Sequence, residues 1–358
     1  MKGKQAAKAV LFVLIFLVIL QSLTYMLRTN GDIKEIFVGF YAEPKNTVDV
    51  VMIGSSPVYP FYAAPKLWGE YGVAMYPLSS NVQKPEAAVY LVEEALKTQS
   101  PELFIFELRM YAYEDDAMAE NMAYVRGVTD NMKYSWNRIR LINRLVPDVA
   151  ERYTYYFDIF KYHSNWKTLV LPDQYTAFRY ERLHPLKGYV MSDKVLPGEG
   201  ADYSMVTEQT AIPSEQEENL RTLLAYLQEK DLEALFIVSP MVLDEDMQKK
   251  FNYMENIITA YGYPYLNLND YYDELEIDFA TDYYDGGSHT NASGAEKCTA
   301  FLGEYLTTHY ALTDRRGDKK YGAWDEAYVY WQECQKEALE TINAKILNGE
   351  YDAAAENE

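Results

Sequence analysis

Short apolar runs alternate with amphipathic segments along much of this chain, and this alternation restricts the fold more than any other feature. Val48–Ile53, Val73–Leu78 and Glu102–Leu108 are such runs, and Lys84–Gln99, which lies between the last two, has helical periodicity. A continuous apolar run is typical of a parallel strand that is covered on both faces. Strands that alternate with helices predict right-handed βαβ crossovers and a parallel sheet.

The same alternation resumes in the second half of the chain. Glu233–Val242 and Pro264–Leu268 predict two more strands. Ser214 and Glu217 have the spacing of a capping box, which predicts that a helix begins there. Helices are predicted over Ser214–Glu229, Asp244–Tyr261, Thr290–Tyr310 and Trp324–Asn348.

Between about residues 111 and 211 the alternation is interrupted. Part of this region, Asn131–Tyr162, is rich in aromatic residues and arginines and has a helical pattern. We interpret the region as a helical insertion, such as a lid or cap, in an α/β domain that spans residues 48–312. A helical tail is predicted over residues 313–358.

The first 28 residues predict a membrane anchor, followed by a juxtamembrane segment over residues 29–47. Ala9–Leu27 is a 19-residue apolar run, long enough to cross a hydrocarbon core of about 30 Å. The lysines that precede it predict a cytoplasmic amino terminus and an extracellular domain in a single-pass protein of the cell membrane. A cleaved signal peptide is the alternative, but the apolar run is long and no A-x-A-like site follows it.

The charge of the chain argues against a nucleic-acid partner. The net charge is −21, and the first 27 residues hold three lysines and no acidic residue, so the remainder carries −24. Such a surface repels phosphate backbones.

The two cysteines, Cys298 and Cys334, lie in the part that is predicted to be exported. Oxidising compartments permit a disulfide between them, and two unpaired thiols are the alternative. They belong to no metal-binding pattern, and we predict neither a metal site nor a cofactor.

Two polar clusters are placed where chemistry is expected. Gly54-Ser55-Ser56 directly follows the first strand, and ligands bind outside the carboxyl ends of parallel strands. A second cluster, residues 282–291, precedes the helix predicted after the last strand and contains one of only four histidines. Ser56, His289 and Asp285 offer the nucleophile, the base and the carboxylate that orients the base. Each residue alone is explained by loop composition, but together they predict a catalytic triad.

These segments resemble the SGNH (GDSL-like) hydrolase superfamily, in which an early strand ends in a Gly-x-Ser turn and a late loop carries Asp and His. The chain is most similar to the membrane-anchored branch, which includes the D-alanine-transfer proteins of teichoic acid synthesis and the O-acetyltransferases of exported polysaccharides. The resemblance extends over roughly Asp49–Trp324, outside much of the insertion. It rests on VMIGSSPVY, FIFELR (Phe104–Arg109), HPLKGY (His184–Tyr189), DYYDGGSHTNASGAEK (Asp282–Lys297) and DRRGDKKYGAW (Asp314–Trp324).

The resemblance implies a flavodoxin-like three-layer sandwich with a five-stranded parallel sheet of order 2-1-3-4-5. It implies Ser56 as the nucleophile, His289 as the base and Asp285 as the orienting carboxylate. It also implies that the Ser56 backbone N–H forms part of an oxyanion hole.

The chain departs from the family in the spacing of its acidic residue and histidine. Three residues separate Asp285 from His289, whereas two are usual in the family. Either Gly286-Gly287 absorbs the extra residue, or Asp282 takes the place of Asp285.

A second departure concerns the oxyanion hole, because the usual glycine and asparagine are not evident. Ser80 or Asn81, after the second strand, would have to supply a donor. Arg109, after the third strand, is a candidate for binding an anionic group of the substrate, and a structural salt bridge is the alternative.

The predicted function is that of an extracytoplasmic serine esterase or O-acyltransferase that acts on a cell-envelope glycan or polyol polymer through an acyl-enzyme. The alternative is an inactive protein of the same fold that binds glycan or a membrane partner. A third hypothesis, compatible with either, is an assembly factor that holds an acyl-transferring membrane protein through Tyr25–Tyr41. Asn291-Ala292-Ser293 matches a glycosylation sequon, but Asn291 is instead predicted to cap the helix that follows.

Overall fold

A five-stranded parallel sheet forms the centre of the fold, with strand order β2-β1-β3-β4-β5. The computed structural model describes residues 2–28, 30–114, 122–168 and 180–353. The number of strands, their parallel direction and their order are confirmed. The strands are β1 (Val50–Gly54), β2 (Met75–Ser79), β3 (Leu103–Glu107), β4 (Ala234–Val238) and β5 (Tyr265–Asn267).

Helices cover both faces of the sheet, and the helices that were predicted from periodicity are all present. Before β4 they are α1 (Lys2–Leu27), α2 (Asp32–Ala42), α3 (Val58–Phe61), α4 (Ala64–Tyr71), α5 (Ala87–Ala95), α6 (Met122–Thr129), α7 (Trp136–Leu145), α8 (Arg152–Tyr156), α9 (Ile159–Tyr162) and α10 (Ser214–Glu229). After β4 they are α11 (Glu245–Ala260), α12 (Tyr272–Leu275), α13 (Ala292–His309) and α14 (Gly322–Asn348). Short 3-10 helices lie at Arg109–Ala112, His163–Thr168, Leu268–Asp270 and Lys319–Tyr321.

The strands are largely apolar because both faces of the sheet are buried, and their polar residues Ser79, Glu107 and Asn267 each stand at the carboxyl end of a strand. Successive side chains of a strand point to opposite faces. Val51 and Ile53 therefore pack with α2, α5, α10 and α11, whereas Val50 and Met52 pack with α3, part of α4 and α13. Ser56 directly follows β1 and therefore lies at the carboxyl edge of this sheet.

The capping box predicted at Ser214 is wrong, although the helix has the predicted bounds. Pro213 occupies the N-cap position in an extended conformation, and Ser214 is already helical. The Glu217 carboxylate turns away from the helix start, because it accepts hydrogen bonds from Arg221 at 2.8 Å and from the Tyr253 hydroxyl at 2.8 Å. Proline suits this position because its extended backbone precedes a helix without losing a hydrogen bond.

The amino-terminal helix α1 is long and apolar enough to span a membrane. An 18-residue window within Gly3–Leu27 has a mean hydropathy of 2.5, and the large side chains from Val10 to Ile19 are exposed. At about 1.5 Å per residue this length exceeds a hydrocarbon core of about 30 Å. The predicted direction of insertion stays a prediction, as do the domain boundaries.

A buried ionic network joins the end of α1 to the helices between β3 and β4. Arg28 donates through Nε to Asp158 at 2.7 Å, and Arg138 of α7 donates through Nη2 to the same carboxylate at 2.9 Å. The Asn165 amide donates to the Leu27 carbonyl at 3.0 Å. Because Arg28, Arg138 and Asp158 are each at most 2% exposed, these contacts hold the helices against the end of α1.

Replacing Arg138 by methionine is expected to lower the free energy of unfolding by about 3–5 kcal/mol, because the buried Asp130 and Asp158 would lose a guanidinium partner. Arg140→Met, two residues along the same helix, should change it by about 1 kcal/mol or less, since its ion pair with Glu93 is exposed. Urea unfolding of the full chain in nonionic detergent measures both. Equal losses would contradict a stabilising role for the buried network.

Candidate active site

Ser56 lies in a tight turn between β1 and α3, at the carboxyl edge of the sheet. Gly54 is required there, because a Cβ atom would lie 2.7 Å from both the Glu107 Cβ and a Val58 methyl group. The Ser55 hydroxyl accepts a hydrogen bond from the Gln83 backbone at 3.2 Å, which ties the turn to the loop after β2. The small residues at the end of this strand therefore serve close packing as well as exposure of a hydroxyl.

The structure brings Ser56, His289 and Asp285 together in one chain of hydrogen bonds. The His289 Nε2 atom lies 2.7 Å from the Ser56 hydroxyl, and its Nδ1 atom lies 2.5 Å from Asp285 Oδ2. The other carboxylate oxygen of Asp285 accepts from the backbone N–H groups of Ser288 at 3.0 Å and His289 at 2.8 Å. We call these three residues the triad. Their order and distances are those required of a nucleophile, a base and an orienting carboxylate.

Burial and hydrogen bonding set the protonation of the triad. Burial alone would raise the pKa of Asp285, but the hydrogen bonds from the His289 ring and the loop backbone hold that pKa below its ordinary value. Burial lowers the pKa of His289 below 6.5, and the charge of Arg109 lowers it further, although Asp285 opposes both effects. At neutral pH the carboxylate is therefore ionised and the imidazole is neutral.

A short hairpin-like loop presents the acidic residue and the histidine of the triad. Its ends pair in an antiparallel bridge between Tyr283 and Thr290. Gly286 and Gly287 turn the loop with φ values of 80° and 109°, which residues with side chains rarely adopt. The Gly287 carbonyl accepts from the Val242 backbone at 2.8 Å, and a Cβ atom on Gly287 would overlap the Val242 side chain. The glycine pair thus allows a turn in which Asp285 and His289, separated by three residues, contact each other.

The sequence left open whether Asp285 or Asp282 orients His289, and in the structure these two carboxylates have different partners. Asp285 contacts His289, whereas Asp282 forms an ion pair with Lys297 at 2.8 Å and accepts from the Ser293 hydroxyl at 2.8 Å. Asp282 is 1% exposed and supports the start of α13. In this geometry Asp285 is the carboxylate that orients the histidine.

Asn291 fixes the position of the loop by capping α13. Its side-chain oxygen accepts from the backbone of Ser293 at 3.0 Å and of Gly294 at 3.3 Å, and its amide donates to the carbonyls of Lys194 and Thr281. The predicted capping role is therefore confirmed. Because Asn291 is fully buried and only two residues from His289, it also limits the movement of that ring.

Arg109 lies next to the triad but contacts the protein backbone. Its Nη2 atom donates to the Ser288 carbonyl at 2.9 Å, and the residue is 6% exposed. The Glu107 carboxylate, at the end of β3, accepts a hydrogen bond from the Arg109 backbone N–H at 3.3 Å. Burial raises the pKa of Glu107 to about 7, although the Arg109 charge opposes this shift. Arg109 therefore supports the triad loop, and its role in binding an anionic substrate group stays a prediction.

The candidate oxyanion donors Ser80 and Asn81 lie in the loop after β2, and both side chains are engaged by neighbours. The Ser80 hydroxyl is buried and donates to the Gln83 side chain at 3.3 Å. Asn81 is exposed, and its side-chain oxygen accepts a short hydrogen bond from the Tyr59 hydroxyl. Their role as donors to an oxyanion stays a prediction.

Two tyrosines that sequence reasoning did not select flank the triad. The ring of Tyr284 stacks on that of His289, with 5.7 Å between centroids and 13° between planes. Tyr59 follows Ser56 by three residues and is 8% exposed. The position of Tyr284 beside Asp285 was visible in the sequence, but with 34 tyrosines in the chain this signal was too common to single it out.

The sequence left open whether Cys298 and Cys334 form a disulfide, and in the structure both are free thiols. Cys298 is buried in α13, and Cys334 is partly exposed in α14.

No protein-family model and no curated protein matches this chain. Among solved structures it is similar to a protein from Bacteroides fragilis NCTC 9343 that is described as a "putative acylhydrolase". The two share 9% identity, with a TM-score of 0.36, over 74% of this chain and 90% of the other. A likeness of this size does not assign a function.

The substitution Glu107→Gln is expected to increase stability more at about pH 8 than at about pH 4. The pKa of Glu107 rises from its ordinary 4.5 to about 7 on folding, so the folded state keeps a proton that the unfolded state releases. Its contribution therefore becomes less favourable as the pH rises through this window, and glutamine does not titrate. Urea unfolding of both proteins at the two pH values measures the difference. A pH-independent difference would contradict the raised pKa.

Proposed function

We propose that this chain is an extracytoplasmic, membrane-anchored serine esterase or O-acyltransferase that acts on a cell-envelope glycan or polyol polymer. The observation that carries the proposal is the 2.7 Å contact between the Ser56 hydroxyl and His289 Nε2, which joins segments 233 residues apart. Such a contact, with a carboxylate on the opposite ring nitrogen, is the arrangement that activates a serine. The apolar helix α1 supports the placement at a membrane.

In the first step the Ser56 Oγ attacks the carbonyl carbon of an acyl donor. His289 Nε2 accepts the hydroxyl proton, and Asp285 stabilises the resulting imidazolium through its Nδ1–H. The negative charge moves to the carbonyl oxygen, where the Ser56 backbone N–H and a donor from the Ser80–Asn81 turn would stabilise it. When the tetrahedral intermediate collapses, His289 returns the proton to the leaving alcohol and the acyl group stays on Ser56.

In the second step water or an acceptor hydroxyl attacks the acyl-enzyme. His289 again accepts the proton and returns it to the Ser56 Oγ as the tetrahedral intermediate collapses, which breaks the bond to Ser56 and releases an acid or a new ester. Hydrolysis and transfer therefore use the same triad, and the occupant of the site during the second step decides between them. Each oxyanion donor typically contributes a factor of about 10²–10³ to the rate, so the Ser80–Asn81 turn bears directly on efficiency.

The second candidate is a binding protein that uses the same fold without catalysis. It is favoured by one observation, namely that the side chains of Ser80 and Asn81 are engaged by Gln83 and Tyr59. Ester hydrolysis by the native chain and by Ser56→Ala separates the two candidates, because only a catalyst depends on the Ser56 hydroxyl.

The substitution Ser56→Ala is expected to lower the hydrolysis of a short-chain aryl ester by about 10³-fold or more, because the nucleophile is lost. Ser55→Ala is the matched control and should retain activity to within about tenfold, since it removes only a hydrogen bond from the Gln83 backbone. Initial rates of the full chain in detergent measure both effects. A fluorophosphonate probe should label the native protein at Ser56. Equal turnover by native protein and Ser56→Ala would favour the binding protein.

Ester hydrolysis is expected to persist below pH 6.5 and to fall only at lower pH. His289 must be neutral to accept a proton, and burial together with the Arg109 charge places its pKa below the ordinary value. Arg109→Gln removes one of these causes, so the acidic limb of kcat/KM against pH should move to higher pH. An acidic limb that stays in place, or moves to lower pH, would contradict this origin of the shift.

A further inference from the structure

The part of α1 that is free of the rest of the protein is too short to cross a membrane alone. The side chains of Ala9–Ile19 are exposed, whereas Thr24 and Tyr25 are buried, with 4% and 2% of their surfaces exposed. At about 1.5 Å per residue, the exposed part covers about 16 Å of a hydrocarbon core of about 30 Å. Thinning of the bilayer costs energy for every ångström, so Leu20–Leu27 would supply the remaining length. The protein around these last turns would then lie at membrane depth.

Two short helices of the insertion lie against the end of α1. They are α9 and the 3-10 helix that follows it, and both contact α1. We call these two helices the collar (residues 159–168). The Asn165 amide of the collar donates to the Leu27 carbonyl at 3.0 Å, and Asp158, directly before the collar, pairs with Arg28. These contacts fix the collar beside the last turn of α1.

The outer surface of the collar is aromatic and basic. Phe160 exposes 60% of its surface and Trp166 exposes 64%, and Lys161 and Lys167 are also exposed. Tyr153 extends the aromatic surface, because it is 52% exposed and its ring lies 5.5 Å from that of Phe160. Exposed aromatic rings beside lysines are typical of the membrane–water interface, where the rings contact lipid and the ammonium groups reach water.

The charge of the surrounding segment is opposite to that of the rest of the chain. Residues 122–168 hold eight lysines and arginines against four acidic residues, a net charge of +4 in a chain whose net charge is −21. Membrane binding of an interfacial helix gains from buried apolar area and from attraction to anionic lipids. The collar offers both, whereas the acidic remainder of the chain would be repelled.

The collar lies at the carboxyl edge of the sheet. A cavity of about 400 Å³ is lined by Arg28 and by Lys161 of the collar, and also by Tyr59 and Asn81. Tyr59 follows Ser56 by three residues, and Asn81 belongs to the loop after β2. The end of α1 and the collar therefore approach the edge that carries the triad.

We propose that the collar lies in the membrane–water interface, with Phe160 and Trp166 inserted between the lipid headgroups and the upper part of the acyl chains. The partner of this surface is the lipid bilayer that α1 crosses. The inference rests on the membrane placement of α1 in the proposed function, but it does not depend on the chemistry of Ser56.

Quenching of tryptophan fluorescence by brominated lipid tests this proposal. The full chain is reconstituted in vesicles of phosphatidylcholine and phosphatidylglycerol, with or without bromine near the headgroup end of an acyl chain. Brominated vesicles should quench part of the native emission, and Trp166→Phe should remove most of that quenching. Only two of the five tryptophans are exposed, Trp136 and Trp166, and the others are at most 4% exposed, namely Trp68, Trp324 and Trp331.

Trp136→Phe is the matched control. Trp136 is 80% exposed, but its neighbour Ser135 accepts a hydrogen bond from Lys97, just after α5. The helix α5 connects two parallel strands, so it ends at the amino edge of the sheet, opposite the collar. Trp136→Phe should therefore leave the quenching by brominated lipid unchanged. Equal losses in the two variants, or no loss in Trp166→Phe, would overturn the position of the collar.

Alkaline carbonate extraction of the same vesicles separates the collar from the anchor. The chain should stay with the vesicles, because α1 spans them. Release of the chain would overturn the placement of α1 and the collar together. A retained chain in which Trp166 is not quenched would overturn the lipid contact alone and leave a protein partner as the occupant of this surface. Ser56→Ala should be quenched as the native chain is, so loss of esterase activity does not affect this test.

Discussion

The hydrogen bond between Ser56 and His289 joins two loops at the carboxyl edge of the sheet, and much of the surrounding structure keeps these loops in place. Gly54 allows the first loop to pack against β3. Asn291 and Arg109 hold the second loop, one by capping α13 and the other by binding the Ser288 carbonyl. A displacement of about 1 Å in either loop would break the contact, since donor and acceptor must lie within about 3.2 Å.

Two neighbouring carboxyl groups show how local contacts decide protonation. Asp285 and Glu107 are both largely removed from water, yet the pKa of Asp285 is lowered and that of Glu107 is raised to about 7. Asp285 accepts three hydrogen bonds from its own loop, one of them from the His289 ring. Glu107 accepts from the backbone of Arg109 and Ser239, and its Oε1 atom has no partner among the described residues. Glu107 is also more deeply buried than Asp285, and Asp285 has the His289 ring beside it, so deeper burial and fewer stabilising contacts both raise the pKa of Glu107 relative to that of Asp285.

The end of α1 belongs to the same region of the molecule. Arg28 pairs with Asp158, which also binds Arg138, and a cavity lined by Arg28 reaches Tyr59, three residues after Ser56. The end of α1, the helices between β3 and β4 and the turn that follows Ser56 therefore lie close together.

The sequence by itself determined the features that depend on neighbouring residues. The apolar runs identified the five strands, the helical periodicity identified the main helices, and the position of Ser56 after β1 placed it at the carboxyl edge. The order of the strands came from the resemblance to a known family. Sequence patterns identify these elements because the buried positions of a strand or a helix recur within a few residues along the chain.

Only the tertiary structure decided which residues meet across the chain. The choice of Asp285 over Asp282 depends on the turn at Gly286-Gly287 and on the Lys297 side chain that holds the other carboxylate. The pairing of Arg28 with Asp158 joins residues 130 positions apart. Such contacts depend on how helices pack, and the same side chains would be ordinary surface charges if the packing were different.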